Sequence, residues 1–144
     1  MKEYEAQDRS FASLKVGDTV SREHSIDAKL IDAFAALSGD RNPLHVDAVY
    51  SSGTPYKAPI AHGMLLGAFV SELVGMHLPG KRSLLLKETL EFKKPVYAGD
   101  TITIRGTITS KSEATQLVEL AITIQNGKEI VGDGSAHIKI LPVY

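Results

Sequence analysis

From residue 83 almost to the end of the chain, apolar side chains recur at every second position, the period of a half-buried strand. Four segments carry the pattern: residues 83–99 (SLLLKETLEFKKPVYAG), 100–113 (DTITIRGTITSKSE), 115–125 (TQLVELAITIQ) and 128–141 (KEIVGDGSAHIKIL). In the second, Ile102, Ile104 and Ile108 alternate with threonine and arginine, and in the third Val118, Leu120, Ile122 and Ile124 share one face. Asn126-Gly127 signals a hairpin between the last two strands. Gly132 and Gly134 signal a bulge or a close backbone approach in the final one.

The first half reads differently. After the turn signal LKVGD, residues 19–25 (TVSREHS) predict a first strand, and Ser25 is placed to cap a helix over residues 26–39. Along that helix Ile26, Leu30, Ile31, Phe34 and Leu37 recur at helical spacing, and Gly39 is a natural stop. Pro43 prevents simple continuation, since it lacks an N–H and disfavours helical geometry at Asn42. A short helical turn is expected around DAVYSSG. From about Ala61 to Leu78, apolar or small residues occupy every face, so this second long helix is expected to be enclosed on most sides. One strand, helices, then a meander of four long strands predict an α+β domain. In it one antiparallel sheet wraps one buried helix, with residues 1–144 forming a single domain.

Composition narrows the choice of function. The chain has 144 residues, 43% of them hydrophobic, enough for a real core. Sixteen Lys and Arg stand against seventeen Asp and Glu, a net charge of -1 that argues against a surface built to grip nucleic acid or an anionic membrane. The absence of cysteine excludes disulfides, thiolate nucleophiles and Cys-ligated zinc. The longest apolar stretch, residues 58–80, is interrupted by His62, Glu72 and His77, short of the roughly 20 residues a membrane span needs. The amino-terminal stretch has scattered charges rather than an apolar signal core, so a cytoplasmic location is expected.

Two places carry candidate chemistry. In LSGDRNPLHVD, residues 37–47, Asp40 and His45 stand five apart around the stiff Pro43. A carboxylate and an imidazole within reach of one water suit proton transfer at neutral pH, with the Asn42 amide available to fix both. The same residues also suit a plain turn. In PIAHGML, His62 and Gly63 open the buried helix, where free N–H groups and the positive dipole end point at whatever lies there. Such a terminus can hold the developing oxyanion of a thioester enolate. Gly63 as a mere packing contact, and His62 as an ordinary helix-start residue, are the alternatives. Asp40, His45, Asp47 and His62 match no metal-ligand spacing, and Ser71 lacks the context of an exposed nucleophile and reads as a buried polar contact. No nucleotide-binding loop is present.

SGDRNPLHVD together with PIAHGMLLGAFVSELVG resembles the MaoC-like dehydratases, and within them the small R-specific enoyl-CoA hydratases. Asp40, Asn42, Pro43, Leu44, His45 and Asp47 match the family's hydratase motif, whereas Ala48 and Ser51 depart from it. The resemblance continues through LPGKRS and FKKPVYAGD. It implies a hot-dog fold and a dimer joined edge to edge. It also implies R-specific hydration of trans-2-enoyl thioesters carried on coenzyme A or acyl carrier protein, with no further cofactor. In that reading Asp40 and His45 are catalytic, Asn42 supports them, Gly63 donates its N–H to the thioester carbonyl, and Ser71 lines the site. Two other readings compete: a hot-dog thioesterase, for which Glu72 is the only carboxylate on the central helix, and a non-catalytic acyl-CoA binding domain. Two basic clusters, Lys81 with Arg82 and Lys93 with Lys94, are candidates for meeting carrier phosphates or an acidic carrier protein.

Overall fold

A computed structural model describes residues 4–143. Five strands make one antiparallel sheet: β1 (Thr19–Ser25), β2 (Ser83–Phe92), β3 (Thr101–Ser112), β4 (Leu117–Asn126) and β5 (Glu129–Ile140). Four helices precede the long strands: α1 (Ala28–Ser38), α2 (Pro43–Val46), α3 (Ala48–Ser52) and α4 (Gly63–Glu72), which runs on into a π-helical turn at Leu73–His77.

The alternation read from the sequence is the alternation that is buried. Ile102, Ile104, Ile108, Val118, Leu120, Ile122 and Ile124 are all inside, facing Leu65, Leu66, Val70, Leu73 and Val74 of the central helix. Removing each such side chain from water is worth about 1.5–3 kcal/mol, so this face is what holds the helix against the sheet. Enclosure is incomplete, because Met64, Ala68 and Ser71 form an exposed stripe on α4 at helical spacing. Ser71 is thus exposed in the isolated chain rather than a buried polar contact.

The sheet order is β1-β3-β4-β5-β2, so the four long strands are not a simple meander. β2 crosses to the far edge and pairs with β5, Glu88 opposite Ala136 and Leu90 opposite Gly134. Periodicity shows that a segment is a strand but not which neighbour it takes. Here the neighbour is decided partly by Gly134, where a Cβ would fall 1.7 Å from the Thr89 carbonyl oxygen. That is the close approach expected of the glycine pair. The β4–β5 hairpin lies one residue further along than expected, since Asn126 pairs with Glu129 and Gly127, at φ 60°, opens the two-residue loop.

Two helix boundaries also shift. Ser25 ends β1, and the cap of α1 is Asp27, whose carboxylate accepts the Leu30 N–H at 2.8 Å. Leu37 lies on the exposed side of α1, although it keeps the spacing of the apolar stripe. Pro43 does not merely break the chain; it occupies the first turn of a new short helix, where a missing N–H costs nothing. No helix among the described residues is long and apolar enough to cross a membrane.

Glu88 is the misfit of the inner face. It sits beside Gly67 of α4, its Oε1 is buried without a hydrogen-bond partner, and burial raises its carboxyl above the usual glutamate range. A raised folded value means that the native state holds the proton more tightly than the unfolded chain, so this group lowers stability as pH climbs through the ordinary glutamate pKa and beyond. Glu88→Gln is therefore expected to raise the melting temperature at about pH 7.5, with the gain disappearing by about pH 3, where both states carry the proton. Thermal unfolding at the two pH values checks this, and an equal gain at both would reject ionisation as the cause.

Candidate active site

Gly39, at φ 79°, ends α1 in the left-handed conformation and turns the chain into the loop that holds Asp40. Short hydrogen bonds set the loop's shape. The Asp40 N–H donates to Ser38 Oγ and Asp40 Oδ1 accepts the Asn42 N–H, each at 3.1 Å. Asn42 Oδ1 accepts the Leu44 N–H at 2.9 Å and caps α2. Its amide oxygen is committed to holding the helix that carries His45. Asp47 is likewise a cap, accepting the Val49 and Tyr50 N–H groups of α3 at 2.9 and 3.0 Å. Ser51, a departure from the resembled motif, is fully buried and donates its hydroxyl to the Asp47 carbonyl at 2.8 Å, so the packing behind the loop is satisfied.

Two histidines meet over this loop. His45 Nδ1 lies 2.7 Å from the Ile60 carbonyl oxygen, which can only accept, so Nδ1 carries the hydrogen and Nε2 is left with its lone pair. His62 Nε2 donates to the Asp40 carbonyl at 2.9 Å. The two rings stack with centroids 3.9 Å apart and planes 27° off parallel, and the Phe34 ring of α1 packs tilted against His62 at 4.9 Å.

One polar atom from each of Asp40, His45 and His62 falls within 4.8 Å of the others. Two hydrogen bonds of about 2.8 Å meeting at one water oxygen span about 4.6 Å, so the Asp40 carboxylate and the His45 ring are spaced to share a water. The structure thus brings Asp40 and His45 together and adds His62, which the sequence read as a helix opener and grouped with them only in a four-residue set matching no metal-ligand spacing; the fourth member, Asp47, is spent as a cap. A signal for His62 was present: histidine is a poor N-cap, so its place there calls for another reason.

His62 is the N-cap of α4 yet makes no side-chain cap bond; the Leu65 N–H turns back to the His62 carbonyl at 3.1 Å, and the Gly63 and Met64 N–H groups are left without a partner among the described residues. Gly63 follows it and lines a cleft together with His45, Tyr56, Leu66, Phe92, Lys93 and Lys94. A Cβ at Gly63 would sit 2.6 Å from the Phe92 ring, so glycine here lets that ring, and anything bound beside it, approach the helix end. An uncapped positive helix terminus beside an acid–base pair is an arrangement able to stabilise a developing oxyanion while a proton moves.

The remaining candidates separate cleanly. Ser71 lies eight residues beyond Gly63, about 12 Å along the helix, and does not line the cleft of its own chain. Glu72 is held by the His24 and His77 Nε2 atoms at 3.1 and 3.4 Å and by Arg22 at 4.0 Å. His24 itself stacks on Phe69 at 3.9 Å, and its burial outweighs Glu72 and lowers its pKa. Lys81 and Arg82 follow the far end of α4 and pair with Asp8, whereas Lys93 and Lys94 stand in the cleft wall, paired with Asp133 and Glu129. The hydrogen bond to Asp133 raises the pKa of Lys93.

Comparison with known proteins agrees with this geometry. Residues 11–128 match the model of the MaoC like domain. The (R)-specific enoyl-CoA hydratase of Aeromonas caviae is 39% identical over 132 residues, covering 91% of this chain and 98% of that protein. The (R)-specific enoyl-CoA hydratase of Rhodospirillum rubrum is 35% identical and covers 90% of both. Among solved structures, the (R)-hydratase of A. caviae superposes with a TM-score of 0.86 over 90% of this chain and 98% of that one, at 40% identity. An R-hydratase from Pseudomonas aeruginosa gives a TM-score of 0.87 at 37% identity, covering 92% of this chain and 86% of that one. The fold is therefore the hot-dog fold of these hydratases, and the chain belongs to the MaoC-like family.

Proposed function

We propose that this chain catalyses the reversible R-specific hydration of a trans-2-enoyl thioester to the (R)-3-hydroxyacyl thioester, through Asp40 and His45. The observation that supports the reading is the separation of their polar atoms, short enough for one water to bridge, beside the N-terminus of α4, which no side chain caps. The names of the similar hydratases supply the substrate class and the hand of the product.

The thioester carbonyl withdraws charge from the double bond and leaves the β-carbon electrophilic. His45 Nε2 takes a proton from the bound water, and the water oxygen bonds to the β-carbon. Charge moves to the carbonyl oxygen, where the Gly63 N–H and the helix dipole stabilise the enolate. Asp40 holds the same water and helps return a proton to the α-carbon, completing the addition of H and OH across the double bond. Water and the polarised thioester suffice for this chemistry, so the reaction as proposed needs no cofactor.

The thioesterase alternative is disfavoured by Glu72, which three basic side chains hold about 13 Å along α4 from Gly63. A homodimer accounts for the open face. Along β2, an unpaired edge, Leu84, opposite Lys139, and Leu86 are exposed, and on the side that faces α4 Phe92 is exposed together with Met64 and Ser71 of that helix. Pairing two β2 edges would cover this face and bring Ser71 toward the partner's site. For the carrier, Lys93 and Lys94 are better placed than Lys81 and Arg82, because they flank the cleft that His45 and Gly63 line.

Asp40→Asn and His45→Gln are each expected to leave a folded protein and to lower crotonyl-CoA hydration by about 10²- to 10⁴-fold, the usual share of a positioned acid or base. Combined, they are expected to cost far less than the sum of the two, since both act on one water. Loss of enoyl absorbance without thiol release, with chiral analysis of the product, reads the reaction; near wild-type rates in both variants would reduce the loop to a turn. Reversing Lys93 and Lys94 to glutamate is expected to raise the Michaelis constant several-fold at low salt and less at high salt, as a screened phosphate contact would. Light scattering is expected to show an even-numbered assembly, and Leu86→Asp to shift it toward monomer; an active wild-type monomer would exclude the shared site.

A further inference from the structure

His62 is buried to 2% exposure, where polar atoms as a rule find a hydrogen-bond partner, yet its Nδ1 has none among the described residues. A residue kept only to fill space there would be better served by an apolar ring. Its side chain also forgoes capping α4, the ordinary task of a residue at that position. Both features have one geometric explanation. From the N-cap of α4 the ring turns back, donates Nε2–H to the backbone carbonyl of Asp40 and lies flat against His45.

We infer that His62 is a positioning residue that locks Asp40 and His45 into one orientation relative to the start of α4. Four elements meet at this ring: α1 through the tilted Phe34 ring, α2 through the stacked His45 ring, the Asp40 loop at Nε2, and α4 through the His62 backbone. The His45 ring is already tethered at Nδ1 by the Ile60 carbonyl, and one hydrogen bond leaves it free to swing about that contact. The stacked His62 ring removes that freedom and aims Nε2 at the shared water. The bond to the Asp40 carbonyl acts likewise on the loop, where the bond that the Asp40 N–H donates to Ser38 Oγ and the one that Asp40 Oδ1 accepts from the Asn42 N–H lie at the solvent-exposed surface and are easily exchanged for water. The inference rests on the proposed hydration for its activity readout, but its geometric content stands apart from it.

The histidine tautomers of the wild-type protein, read by long-range nitrogen–proton NMR, provide the direct test. The expected spectrum assigns the hydrogen to Nε2 in His62 and to Nδ1 in His45. A hydrogen on Nδ1 of His62 would break the Asp40 bond and overturn the inference, whether or not the protein hydrates crotonyl-CoA. Two variants then divide the ring's roles: His62→Gln keeps a donor within reach of the Asp40 carbonyl, and His62→Phe keeps the stacked ring without the donor. Each is expected to lower kcat by about 10- to 100-fold with the Michaelis constant within about twofold of wild type, since misaligned groups weaken the transition state rather than substrate binding. His62→Ala, which removes both roles, is expected to lose more kcat than either. Unchanged kcat in folded Gln and Phe variants, or a rise in the Michaelis constant alone, would overturn it. A wild-type protein that shows the expected tautomers but no hydration would instead refute the proposed reaction.

Discussion

A helix with apolar residues on almost every side has to be wrapped, and the sheet of this chain is the surface that wraps it. α4 contributes Leu65, Leu66 and Val70 to the core and the π-helical turn adds Leu73 and Val74, so the helix is fixed lengthwise against β3, β4 and β5. Its direction then decides where chemistry is located. The positive end of the helix, with unsatisfied N–H groups, comes to rest beside the loop after α1. Because the cap residue is a histidine whose side chain is turned elsewhere, no side chain among the described residues caps that end.

The two histidine rings at the loop opposite this terminus are held by backbone carbonyl oxygens rather than by charged partners. Ile60 and Asp40 each offer a backbone carbonyl to a ring nitrogen, and a carbonyl can only accept, so the direction of each hydrogen bond is set by covalent chemistry. The side chains of Asn42 and Asp47 are used for helix caps, which places α2 and α3 and, with α2, His45. Asp40 keeps its carboxylate exposed toward solvent. One short stretch thus contains residues of two kinds: those that build the turn and those left free by it.

Charge is distributed with the same separation. Glu72 is enclosed by Arg22, His24 and His77 on the β1 side of α4, and Arg82 is tied to Asp8 beyond its far end. Only Lys93 and Lys94 stand where a ligand in the His45–Gly63 cleft would meet them. The open stripe on α4 and the free edge of β2 lie together because β2 crosses to the sheet edge beside the helix, with Glu88 against Gly67.

Much of this was legible from residue order alone, and the reason is that local patterns have local causes. Period-two alternation identified all four long strands, helical spacing and Gly39 marked α1, and the all-round apolar segment identified the buried helix. The Asp40–His45 loop and the Gly63 helix start were visible as residue types suited to proton transfer and to an oxyanion. What the sequence did not determine is whatever depends on two distant segments meeting. The place of β2 beside β5 depends on an approach of Gly134 to Thr89 across 45 residues of chain. The exposure of Ser71 and Leu37 depends on how far the sheet curls around each helix, and the silence of Glu72 on side chains that reach it from β1 and the π turn. His62 shows the difference most plainly: its spacing to His45 and Asp40 matches no motif, and only the packing of α1, α2 and α4 around one point lays its ring against His45 and its Nε2 on the Asp40 carbonyl. Periodicity records which face of an element is buried, whereas contacts between faces are set by the geometry of the assembled fold.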